Sequence, residues 1–125
     1  MIGSLMMSVS VVILVAGMLA GIVMGIQQDF ALAPAHAHLN LVGGVLLFMF
    51  GLYYRLVPAA GISGLARLQG WLHIAGAILF PAGVAIVILK GTACIAAPVV
   101  GSLITLVAMV LFAVIVLRTS RPKEI

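Results

Sequence analysis

His36 and His38 stand one residue apart at the mouth of a long apolar stretch, Ala35 to Pro58, which reads AHAHLNLVGGVLLFMFGLYYRLVP. An imidazole can ligate a metal, carry a proton or hold a hydrogen bond. On an α-helix, two residues amount to about 200° of rotation and about 3 Å of rise. The two rings then point to nearly opposite sides at almost the same depth. One helix cannot bring both to a single metal ion without unwinding. It can offer one to a site on its left and the other to a site on its right. Such a pair is a bridging element, and it needs neighbours on both sides.

Composition says what those neighbours are. The chain has 125 residues, 66% hydrophobic and 6% charged, with a mean hydropathy of +1.44. A water-soluble domain cannot hide that much apolar surface, so the sequence implies an integral membrane protein whose first partner is the lipid bilayer. A membrane-spanning helix needs about 20 mostly apolar residues. Four such runs are visible: Leu5–Ile26, His36–Val57, Leu68–Leu89 and Cys94–Leu117. Short connections join them, which predicts one all-α domain over residues 1–125, a four-helix transmembrane unit.

The net charge of +4 does not point to nucleic acid, because the basic residues lie at helix ends. Four spans put both termini and the 2–3 connection on one side. That side holds Arg55, Arg67, Arg118, Arg121 and Lys123, and the other side holds Lys90 alone. The positive-inside rule then puts both termini in the cytoplasm, as in a multi-pass protein of a bacterial inner membrane. Asp29 and the histidine pair face the outside. A single cysteine, Cys94, excludes an internal disulfide framework and reads as a small packing residue.

The first span reads as retained rather than as a signal peptide. No basic side chain precedes it, and its apolar run is too long. Gly17, Gly21 and Gly25 lie in one row along it, which predicts close helix packing, either within the subunit or at an oligomer seam. Pro34 sits where a helix start tolerates proline. In the second span Gly43, Gly44 and Gly51 leave room for something bulky or for a close neighbour. Tyr53, Tyr54 and Arg55 read as interfacial anchors closing that span, and Trp71 as another. Pro58–Ala66 reads as a Gly/Ser loop. His73 lies a turn and a half inside the third apolar run and enters from the cytoplasmic side. With a bilayer core of about 30 Å, that places it on the order of 20 Å from the pair. It is therefore predicted to be a helix–helix hydrogen bond and not a ligand. Ser102 and Thr105 are expected to bond to backbone.

Three readings of the pair follow. The rings can be interfacial residues at a helix start, one wet and one hydrogen-bonded. They can bind copper or zinc, since imidazole suits both, with Asp29 and Cys94 as the few other donors. They can be axial ligands of haem, which needs one or two imidazoles, a flat apolar slot and a polar rim for its propionates. The second span supplies imidazoles, glycines, Phe48 and Phe50, and the outside loops supply Lys90.

A family resemblance separates them. Asp29, Ala35-His36-Ala37-His38, Leu41, Gly43-Gly44, Gly51, Tyr53-Tyr54 and Pro58 resemble the tenth helix of the haem-copper oxidase catalytic subunit. Arg67-Leu68, Trp71-Leu72, Gly76, Leu79 and Phe80-Pro81 are similar to its eleventh helix. The resemblance covers most of residues 29–81. In that family the two histidines serve two different haems, and the subunit is built of three pseudo-equivalent groups of four helices. This chain resembles one such group. The resemblance implies a homo-oligomer, a trimer favoured, with b-type haem shared between subunits. His36 of one subunit and His38 of the next would be its axial ligands. It implies Lys90 near the propionates, and Asp29 either paired with Lys90 or holding a cation. The helices that carry the family's copper-binding histidines and cross-linked tyrosine have no counterpart here. The implied function is therefore electron transfer with an unnamed redox partner, rather than oxygen reduction by the usual centre. The rival expectation is a copper-handling or oxidase-assembly membrane protein without haem.

Overall fold

The computed structural model describes residues 1–121, so the contribution of Lys123 to the basic count, and Glu124, lie outside the described residues. Among the described residues four helices are long and apolar enough to cross a membrane: α1 (Ile2–Gln27), α2 (Ala33–Leu56), α3 (Gly64–Lys90) and α4 (Ala96–Thr119). Each sequence-predicted span is present, with its ends displaced by local chemistry. Pro34 occupies the first turn of α2, where its missing N–H has no intrahelical partner to lose. Ser63 caps α3, its Oγ accepting from Ala66 N at 3.1 Å, so that helix begins at Gly64 rather than Leu68. The expected Pro58–Ala66 loop is mostly helical, because Pro58–Gly61 forms a turn of its own. Gly91, at φ 91°, ends α3 in a conformation that costs glycine nothing. A 3₁₀ turn, Thr92–Cys94, then leads into α4.

The span α2 is not one regular helix. Ala33–His38 is α-helical, Leu39–Leu46 is π-helical, and Leu47–Leu56 is α-helical again. A π-helix bonds each N–H five residues back instead of four, and it occurs mostly as short inserts at functional sites. The apolar pattern predicts a uniform helix here, and the π-helical stretch interrupts it.

The two middle helices form the inside of the unit. The apolar windows of α2 and α3 are 39% and 33% buried, against 17% for α1 and 22% for α4. The outer faces of α1 and α4 carry exposed Val12, Met18, Ile22, Leu103, Leu106 and Val110, a surface suited to lipid tails. Close approach is bought by small residues. A methyl placed on Gly101 of α4 would stand 2.6 Å from the Phe80 Cα of α3. Gly43 and Gly44 of α2 are filled by Ile13 and Leu14 of α1, so their space serves a neighbouring helix and not a bulky group.

Deeper in the core Phe50 stacks on Phe112 of α4 at 3.8 Å between ring centroids. Phe50 lies twelve residues beyond His38, about 18 Å along a helix, so it does not wall the histidine pair. Tyr54, expected at the interface, is 1% exposed, and its hydroxyl donates to Gln69 Oε1 at 2.8 Å. Gln69 Nε2 in turn donates to Ala108 O at 3.2 Å, which ties α2 to α3 and α3 to α4. Ser102 and Thr105 bond backward to Val99 O and Gly101 O at 2.8 and 2.9 Å, as expected. Trp71 is exposed near the termini end, and Cys94 is a half-buried free thiol.

Candidate functional site

His36 and His38 both lie in the α-helical lead-in of α2, before the π-helical stretch. The geometry of a regular helix therefore applies to them, and they face different neighbours. His36 is half-buried against α1. Its ring lies over Gly21, where an added methyl would stand 3.1 Å from Cε1. His38 is half-buried against α3, its ring edge-on to Phe80 with centroids 4.6 Å apart.

The protonation of His38 follows from its partner. Its Nδ1 lies 2.7 Å from Pro34 O. A carbonyl only accepts, so Nδ1 carries a proton, and in the neutral ring Nε2 is the nitrogen left to ligate. That is the arrangement in which a backbone carbonyl orients a ligating imidazole.

His36 borders a cleft of about 540 Å³ between α1, α2 and α3. Its walls are apolar, including Leu32, Leu39 and Pro81, and Gln27 and Asp29 add polar groups. The volume falls within the roughly 300–1,000 Å³ of small-molecule pockets. Asp29 is exposed, and its Oδ1 accepts from Ala31 N at 3.1 Å, a local turn bond. Lys90 is exposed at the end of α3 and does not line the cleft. The structure thus brings Asp29 and His36 to one cleft and directs His38 elsewhere. Among the described residues no three His, Cys, Asp or Glu side chains converge as metal ligands.

Asn40 was not anticipated. Its Nδ2 lies 3.1 Å from His36 Nε2 and 3.3 Å from Nδ1, and its Oδ1 is buried without a partner. A methyl on Gly17 would fall 1.8 Å from that oxygen. Gly17 and Gly21 are therefore the seats of Asn40 and His36, and this part of the row packs within the subunit. Gly25 has open space around it. The available signal was a lone asparagine in an apolar run, one helical turn beyond His36.

His73 is fully buried and donates from Nε2 to Val42 O at 2.9 Å. It forms the helix–helix hydrogen bond that was expected, with a backbone acceptor. The expected distance from the pair is corrected. Val42 lies four residues beyond His38, about 6 Å along a helix. His73 sits two and a half turns into α3, counted from the earlier Gly64 start, and so reaches deeper than a turn and a half. Its Nδ1 is buried without a partner.

No family model matches this chain, and no curated protein or solved structure does, so none of these comparisons links it to the haem-copper oxidases.

Proposed function

We propose that the chain is a membrane b-type haem protein of electron transfer, with each haem held by two imidazoles from different subunits. One observation carries this: His36 and His38 of one helix face two different helices, α1 and α3, and the Pro34 carbonyl holds a proton on His38 Nδ1, away from Nε2. Haem asks for one imidazole at a time, an apolar slot and a polar edge. The His36 cleft supplies the slot, with Asp29 beside it. The Asn40 amide nitrogen, 3.1 Å from His36 Nε2, only donates, so ligation through Nε2 requires that amide to turn away from the ring. Lys90, on the outer end of α3, is the cation for propionates, and Asp29 pairs with it or holds a cation.

When bound, the haem supplies one-electron exchange, and two imidazoles leave it no open position for oxygen. The protein's part is to hold the rings, exclude water and set the separation between irons. The oligomer is a homotrimer of units like the four-helix groups of the oxidase catalytic subunit. It sits in a bacterial inner membrane with both termini cytoplasmic. A copper-handling role would need at least one ligand from a further chain, because a trio of donors does not converge among the described residues. The deciding experiment is the reduced-minus-oxidised absorption spectrum of the purified protein. Sharp low-spin b-type bands support the reading. A colourless protein after expression with ample haem overturns it.

A further inference from the structure

We infer that His73 is a positioning residue: through its bond to Val42 it holds the π-helical stretch of α2, and with it the direction in which His36 and His38 face. The functional consequence rests on the haem reading above, but the geometry does not.

The two halves of α2 are anchored separately. The inner half is fixed by Phe50 on Phe112, by Tyr54 on Gln69, and by Gly51, where a methyl would fall 2.7 Å from Gly3 O. The outer half is fixed by His36 over Gly21, and Asn40, the second residue of the π-helical stretch, sits over Gly17. Between them lies Leu39–Leu46 with its wider turns. Across those residues the stretch stores about one extra residue, so the outer half is turned by roughly 100° relative to a continuous α-helix. Both sets of anchors are met only with that residue in place.

His73 sits where it can hold this register. Its ring packs edge-on against Phe50, centroids 5.0 Å apart, so it is seated on the inner anchor. Its Nε2–H reaches the Val42 carbonyl inside the π-helical stretch. Its other nitrogen is buried and unpartnered, a cost that leucine would not carry. The bond to Val42 is what the histidine adds over an apolar side chain.

The test uses the full chain in lipid, with Cys94→Ala, and spin labels at Ala37→Cys and Met49→Cys. Both positions are exposed, one in each half of α2. With the extra residue stored, these two lie nearly above one another. In a continuous α-helix they are about 120° apart, and the labels separate further by on the order of 5 Å. His73→Leu removes the donor and is expected to lengthen the distance. His73→Gln keeps a donor for Val42 O and is expected to hold both the native distance and the haem spectrum. Deleting the exposed Val45 removes the stored residue. In that background His73→Leu is expected to leave the native distance unchanged. A native distance in His73→Leu alone overturns the proposal. Should that single variant not fold, the Val45-deleted form decides: folding with the native distance supports the proposal, and failure to fold or a lengthened distance overturns it. If the distances behave as expected in a protein that never binds haem, the haem reading fails and the role of His73 stands.

Discussion

The His36 ring rests on the bare backbone of Gly21: a methyl there would stand 3.1 Å from Cε1 and 3.3 Å from Nε2. One wall of the candidate site is therefore made of missing side chain. Larger residues should displace the ring. Gly21→Leu and Gly17→Leu are expected to destabilise by about 1–3 kcal/mol through overpacking, and Gly21→Leu to push the His36 ring from its seat. Gly25→Ala, in open space, should be neutral or slightly stabilising. Thermal unfolding in detergent, read beside the absorption spectrum, distinguishes the three.

The histidine pair gives the most demanding prediction. His36→Ala and His38→Ala should each convert low-spin iron to high-spin or abolish haem binding. Mixed in one membrane, the two variants should form rings in which one interface joins the two intact imidazoles. That interface should regain a low-spin spectrum. Proven mixed oligomers that stay high-spin would remove the shared-haem arrangement.

Topology can be checked at Ser120, just past α4. In a Cys94→Ala chain, Ser120→Cys should resist impermeant thiol reagents in intact cells and react after lysis. Labelling without lysis reverses the orientation.

The Tyr54 hydroxyl bonds to buried Gln69, whereas that of Tyr53 bonds to the exposed Thr119. Tyr54→Phe leaves Gln69 Oε1 without its donor, at a cost of roughly 0.6–2 kcal/mol. Tyr53→Phe should cost well under half of that. Denaturant titration followed by Trp71 fluorescence measures both.

Hydropathy alone revealed the four spans, because 66% apolar composition leaves few other folds. Helix ends were less legible. Ser63 extends α3 by a cap whose strength depends on backbone angles, and an aromatic near a helix end fits either the interface or the core. Tyr54 fell on the core side once α2 had found Gln69. That His36 and His38 meet different helices follows from spacing and holds in the folded chain. Asn40 could not be paired with Gly17 before the register of α1 on α2 was known. The π-helical stretch leaves no periodic mark in a run where nearly every residue is apolar. It shows only through its bonding, and through His73, which spacing from a late helix start had put too far away.

The burial of the four spans is uneven, and the candidate site lies on the lightly held side. Along α3 and α4 the backbones almost touch at Gly76, Gly83 and Gly101, so these helices form a zipped hairpin. The least buried span is α1, at 17%, yet it supplies the seats of both Asn40 and His36. Harsh detergent should peel α1 away while the hairpin survives. The lability of the site and the durability of the helices are then separate properties: an extract can keep nearly all its helical circular dichroism after the ground beneath His36 is gone.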